Sequence, residues 1–204
     1  MDSTIFFSGE DTRKSEIVAT CLRIVDQSGL KGLTVARIAR EVGFVESALY
    51  RHFRSKRDIL ALILDETLKV AENQFREVGK KAGGGDQELR LMLDLHLDFL
   101  ELYPGIFRIV YSDEIHMGEP ELLDKLGALT EFLTASLEKI FRRGMRDGHF
   151  RRNLDPALAA IHFMGIIQVA FSFWTIKKRG PSLRDIGRGL MAQLMAGIAV
   201  PTPF

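Results

Sequence analysis

The chain has 204 residues, of which 46% are hydrophobic and 27% charged; this suits one or two globular domains with a sizeable core and excludes a disordered chain. Its net charge is +1, so no global field draws the whole molecule to nucleic acid, and a DNA-binding surface has to come from local clustering. The single cysteine, Cys21, excludes a disulfide framework and a cysteine-rich zinc site and points to a reducing, cytoplasmic compartment. Ile5, Phe6 and Phe7 have no basic lead and no long apolar run, so no signal peptide is expected.

Apolar residues recur at three and four along the chain, no strand pattern is convincing, and the breakers fall at helix ends, so an all-α fold of about nine helices is expected. The first helix is predicted from about Thr12 to Ser28, with Ile17, Cys21, Ile24 and Val25 inward. Two short helices follow, from Thr34 to near Gly43 and from about Val45 to Arg51. Ser55 and Asp58 form a capping pair for a long helix ending near Lys81. Gly83-Gly84-Gly85 lacks a preceding strand and a following Gly-Lys-Ser/Thr, so it reads as a hinge rather than a phosphate cradle. Asp86 is expected to cap the next helix, and Pro104 ends it and opens a short one to about Ser112. The segment around Asp113 to Pro120 reads as a loop, followed by a long helix from about Glu121 to Arg146. Asp155-Pro156 is a helix start, an N-cap followed by proline at the first helical position. Ser182, after Gly180-Pro181, is expected to cap a last helix to about Ile198.

Ala157 to Ile176 holds about 20 residues without formal charge, long enough to cross a bilayer. His162, Gln168, Ser172 and Thr175 interrupt it, and basic residues at both ends (Arg151 and Arg152; Lys177, Lys178 and Arg179) give no orientation bias. The expected reading is a soluble helix buried on all sides, with no membrane partner.

The informative stretch is 33–53. Two short helices meet at Gly43, which permits a sharp turn; Val35, Ile38, Ala39 and Val42 form the inner face of the first, and Leu49 and Phe53 that of the second. From Lys31 to Arg57 there are seven basic residues (Lys31, Arg37, Arg40, Arg51, Arg54, Lys56, Arg57) and two acidic ones (Glu41, Glu46), so this stretch carries seven minus two, or +5. A charge run is also compatible with a plain solvated face, but charge focus and glycine turn together point to a helix-turn-helix that binds DNA.

Thr34-Val35, Ile38-Ala39, Gly43, Leu49-Tyr50, His52-Phe53 and Ser55-Lys56 resemble the TetR/AcrR family of bacterial repressors over about the first 60 residues, with a weaker echo at Gly148-His149-Phe150-Arg151 and Asp155-Pro156. The resemblance implies a DNA-binding domain at 1–56 and a ligand-binding and dimerisation domain at 57–204. It implies phosphate contacts by Thr34, Tyr50, His52 and Lys56, the last at a helix N-terminus that favours anions. It implies base reading by Val45, Glu46, Ser47 and Ala48, with Arg37 and Arg40 as further base or phosphate contacts. Position 45, often a small capping hydroxyl residue in the family, is valine here, which puts a base contact there in doubt.

Two heads must sit about 34–36 Å apart to enter successive major grooves, so a homodimer is expected. Its interface candidates are Ile161, Ile167 and Phe173 in the apolar helix and Leu183, Ile186, Leu190 and Leu194 in the last, the two helices that pair in the family. Candidates for a ligand pocket are His96, Phe99, Tyr103, Phe107, Tyr111, Phe132, His162, Met164, Phe171 and Trp174. Each alone is better explained by core packing than by ligand contact, but together they suit an apolar or aromatic effector. Arg108 is a further candidate for an anionic head group. One histidine among the carboxylates of 113–119 is not a metal signature, and neither metal nor cofactor is expected. No Gly-x-Ser-x-Gly, His-Glu-x-x-His or phosphate loop is present, so no enzyme is expected. The expected function is a repressor released from its operator by a small molecule. The alternative is a ligand-independent DNA-binding dimer that acts architecturally or recruits a partner.

Overall fold

The computed structural model describes residues 12–177 and 180–199; Ile5, Phe6, Phe7, Lys178 and Arg179 lie outside them. Ten α-helices follow one another there: α1 (Thr12–Ser28), a 3-10 turn (Leu30–Gly32), α2 (Val35–Val42), α3 (Glu46–His52), α4 (Lys56–Lys81), α5 (Gly85–Leu102), α6 (Gly105–Val110), α7 (Asp113–His116), α8 (Pro120–Arg146), α9 (Pro156–Ile176) and α10 (Leu183–Ile198). No strand occurs among the described residues, only an isolated bridge between Phe150 and Ala199. The tenth helix, beyond the nine expected, is α7: a single turn in which Ser112 O accepts from Ile115 and His116 N–H, closed because Ile115 is buried. The loop expected from Asp113 to Glu119 is to that extent corrected.

The chain forms two compact units, Met1–Ala71 with Leu102–Thr130 and Glu72–Glu101 with Glu131–Phe204. In the first, Val18, Cys21, Leu22, Ile24 and Val25 of α1 are fully buried, and α2 and α6 pack on this helix. Burial pushes the Cys21 thiol up to about 12, which leaves it unreactive at neutral pH. Helix α6 approaches α1 so closely that a Cβ on Gly105 would overlap the Leu22 carbonyl oxygen.

In the second unit, Asp155 accepts from the N–H groups of Ala157 (2.9 Å) and Leu158 (3.2 Å), satisfying orphan donors at the start of α9, with Pro156 at the first helical position. Ser182 and Asp185 close a reciprocal capping box on α10. Asp86 does not cap α5; it lies inside the first turn, and Gly83 N–H donates instead to Gln87 Oε1 at 2.7 Å. Ion pairs Asp94–Arg188 (2.8 Å) and Asp98–Arg184 tie α5 to α10, and Glu88–Arg143 ties α5 to α8.

Helix α9 is long and apolar enough to cross a membrane, but it is not buried on all sides. Ala159, Ala160, Phe163, Ile166, Ile167, Ala170 and Phe171 pack inward, while Leu158, Ile161, Val169, Phe173 and Ile176 are exposed. An all-apolar circumference gives no periodicity from which the side covered within the protomer can be read.

Candidate nucleic-acid interface

Thr34 caps α2, its hydroxyl oxygen accepting from Arg37 N–H at 3.2 Å; the exposed hydroxyl keeps its own proton to donate outward. Gly43 ends α2 in the left-handed region (φ 79°), the conformation the turn needs and side-chain-bearing residues avoid. Leu33, Val35, Ile38, Ala39, Leu49 and Phe53 fill the space beneath.

The start of α3 is bare. Val45 is 69% exposed, Glu46 and Ser47 are exposed and Ala48 is half-buried. Val45 takes the N-cap position without a side-chain cap bond. Tyr50 is 50% exposed although it sits beside the buried Leu49. His52 closes the helix, and its side chain lies outside the described residues.

The cations of this region divide into two sets. Arg37 is turned inward: its guanidinium donates to Glu41 (2.9 Å), Ser28 (2.7 Å) and Gln27 (3.4 Å), clamping α2 to the end of α1. That bond from Arg37, joined by the charge of Arg23, holds the Glu41 carboxyl below its usual range. Lys56 donates to Glu114 of α7 at 2.9 Å, and this bond holds the Glu114 carboxyl low. Arg57 lies 3.4 Å from Asp58 and 3.9 Å from Glu121. The side chains of Lys31, Arg40, Arg51 and Arg54 are exposed with no partner among the described residues. Arg51 and Arg54 entered the sequence reading only as charge; their outward direction is what makes them candidates. Before α4, Asp58 accepts from the N–H groups of Arg54 (2.8 Å) and Ser55 (3.2 Å), and Ser55 Oγ accepts from Asp58 N–H (3.3 Å), a reciprocal capping pair as the sequence predicts.

The residues singled out for dimerisation do not share one surface. Ile161 and Phe173 are exposed and Ile186 and Leu190 half-buried, but Ile167, Leu183 and Leu194 are buried inside the protomer, where helical spacing alone could not separate them from outward neighbours. The outward row of α9 is instead Leu158, Ile161, Gly165, Val169, Phe173 and Ile176, and α10 exposes Gly189, Ala192, Gln193, Ala196 and Gly197.

The pocket candidates also divide. His96, Phe99, Phe132, His162, Met164, Phe171 and Trp174 belong to the second unit and Tyr103, Phe107 and Tyr111 to the first. His162 is exposed next to Ile161, which places it on a surface. Phe99, Tyr103 and Phe171 are buried. Phe132 meets Phe75 edge-on at 5.7 Å, Phe171 meets Trp174 at 5.9 Å, and Phe107 meets Tyr111 at 4.5 Å. Arg108 is largely exposed, 3.9 Å from Asp26. His116 Nε2 lies 2.9 Å from the Val110 carbonyl oxygen, and no group of three or more potential metal ligands occurs among the described residues.

Comparison with known proteins agrees with this architecture. Residues 17–63 match the model of the bacterial regulatory proteins of the tetR family. The nucleoid occlusion factor SlmA of Pectobacterium carotovorum subsp. carotovorum (strain PC1) is 32% identical over 158 residues, covering 75% of this chain and 78% of that one. The fatty acid metabolism regulator protein of Bacillus subtilis (strain 168) is 22% identical over 183 residues, covering 90% and 94%. The transcriptional regulator FadR from Bacillus subtilis, solved in complex with stearoyl-CoA, superposes with a TM-score of 0.73 at 20% identity, covering 90% of this chain and 98% of that one. The chain belongs to the tetR family of bacterial regulatory proteins and is a DNA-binding transcriptional regulator.

Proposed function

We propose that the protein is a cytoplasmic homodimeric repressor that grips operator DNA through α3 and is released by a small, largely apolar effector. The observation that carries the DNA half is the exposed start of α3 framed by outward Arg40, Arg51 and Arg54. Val45 to Ala48 read base edges: Glu46 accepts from a cytosine amine and Val45 or Ala48 touches a thymine methyl. Thr34, Tyr50, His52 and Lys56 hold phosphates, Lys56 by exchanging Glu114 for DNA. Arg37 braces the reading helix pair rather than touching DNA, because its donors are already taken.

The outward row of α9 and the small-residue face of α10 pair with their copies in a second protomer, so that two heads meet successive major grooves. Effector binding favours the released state; a preference of about 3 kcal/mol shifts DNA affinity about 150-fold. The small-molecule half is supported by the fatty acid metabolism regulator among the relatives and by the stearoyl-CoA complex of the similar structure. The second reading, a DNA-binding dimer without effector, is favoured by the relative named a nucleoid occlusion factor.

The test is selection of bound duplexes from random DNA, then the salt dependence of affinity. Lys56→Ala is expected to weaken binding to all sequences and to reduce the slope by about 1 per head. Tyr50→Phe, which loses only the hydroxyl, is expected to weaken it too. No preference for any duplex over a polyanion control refutes the reading.

A further inference from the structure

We infer that Arg13, at the start of α1, is a further phosphate-binding cation of the head, and that Phe44, in the turn of the motif, is the positioning residue that holds it beside the reading helix. The inference rests on the reading of α3 as the helix that grips DNA, and adds to it a contact from α1 and the device that places it.

Arg13 lies outside the basic stretch 31–57, and its side chain is exposed. Its guanidinium carbon stands over the Phe44 ring, 6.0 Å from the centroid, and it makes no ion pair among the described residues. The turn itself holds the ring. Gly43 is in the left-handed region (φ 79°), and Phe44 N–H donates to the Ala39 carbonyl oxygen at 2.8 Å, which fixes the Phe44 backbone against the end of α2. Phe44 is half-buried, and the residue after it is Val45, the N-cap of α3 and 69% exposed. A cation seated on Phe44 is thereby anchored one residue from the bare start of the reading helix.

The kind of partner decides what the cation can still do. A carboxylate orders a cation and cancels its charge, as Glu41 does for Arg37 and Glu114 for Lys56. An aromatic face attracts the charge through the ring quadrupole and leaves it whole. The face also takes the place of no hydrogen-bond acceptor, so the guanidinium fork keeps its N–H donors for another group. Arg13 is therefore placed, charged and free to donate. The fork matches two oxygens of one phosphate, and phosphates carry the negative charge of a duplex, so the contact is independent of base sequence.

The experiment uses the full-length protein and fluorescence anisotropy at several salt concentrations, on a duplex selected from random DNA and on a shuffled duplex of equal length. Arg13→Gln is expected to weaken binding to both by the same factor and to reduce the salt slope by about 1 per head. Phe44→Leu keeps an apolar side chain in the turn and removes the ring face. It is expected to weaken binding by about 2–5-fold per head with the slope unchanged, because the cation remains and only its placement is lost. Phe44→Tyr keeps the face and should keep wild-type affinity. In an Arg13→Gln background, Phe44→Leu should add no further loss; a loss that persists there belongs to packing and overturns the positioning role. An unaltered slope in Arg13→Gln, where Lys56→Ala lowers it, removes Arg13 from the interface and keeps the DNA reading of α3. Slopes unaltered in both variants remove that reading too. Weakening confined to the selected duplex makes Arg13 a reader of bases and overturns the phosphate assignment.

Discussion

The pair between Lys56 and Glu114 sets a test of how the head meets phosphate. Glu114→Gln keeps the shape of the side chain and removes its charge. The two side chains are 34% and 40% exposed and 2.9 Å apart, so the pair contributes about 0.2–1 kcal/mol after solvent screening. Losing it therefore lowers Tm by about 4 °C at most for a chain of this length. On DNA the sign reverses. A phosphate that takes Lys56 has to displace Glu114, and removing the competitor returns the same energy to binding, about 1.4–5-fold per head and about 2–30-fold for a dimer with two heads. Fluorescence anisotropy on the selected duplex at several salt concentrations reads this, and in a Lys56→Ala background the gain should vanish. The pH dependence checks the pair itself. Because the Lys56 bond holds Glu114 below its ordinary value of 4.5, the pair's stabilisation is fully present above that value and is lost as pH falls through the lowered one. The Tm difference between wild type and Glu114→Gln should accordingly disappear under acid. Affinity that is unchanged or weaker in Glu114→Gln would mean that Glu114 positions Lys56 for DNA rather than competing with it, and the exchange would be refuted.

Val45→Thr should supply the missing N-cap acceptor on a backbone already extended (φ −71°, ψ 134°), raising stability by about 1 kcal/mol in thermal unfolding; no gain would show that the cap geometry is not met. Gly105→Ala drives a Cβ into the Leu22 carbonyl and should cost about 1–3 kcal/mol, while Gly127→Ala, in α8 with no atom near its missing Cβ, should stabilise by about 0.5–1 kcal/mol; equal Tm values for the two variants would undo the close-approach explanation. Ile161→Glu puts a charge on a side chain that is 58% exposed in the protomer, so it should leave the fold intact and shift sedimentation towards monomer; an unaltered dimer would place the interface elsewhere.

Helix ends were legible because their causes are local. Thr34 accepting from Arg37 N–H, Gly43 at positive φ, Asp155 before Pro156 and Ser182 with Asp185 each act within three residues of chain, so the sequence holds both halves of every contact. The cap assigned to Asp86 failed for a reason of the same scale: Gly85 is free to enter the helix, and Gln87 reaches back to Gly83 in its place. The outward side of α9 was not legible, since an apolar circumference carries no phase and only packing selects Ala159, Phe163, Ile166 and Ala170 as the covered row.

The charge of the reading face marks the deeper limit. Seven cations within 31–57 read as one basic patch, yet Arg37, Lys56 and Arg57 are answered by carboxylates, and those of Glu114 and Glu121 lie far along the chain on α7 and α8. Glu114 stands on the very turn that the sequence leaves as a loop, so its meeting with Lys56 depends on Ile115 being buried to close that turn. Composition therefore overstates the free charge of this face: four outward cations, Lys31, Arg40, Arg51 and Arg54, stand unaided, and Lys56 would join them on DNA only where a phosphate outbids Glu114. On the proposed reading, a head built this way would gain its last phosphate contact by exchange rather than by simple addition, and α7 would share in DNA recognition with the two helices that form the motif.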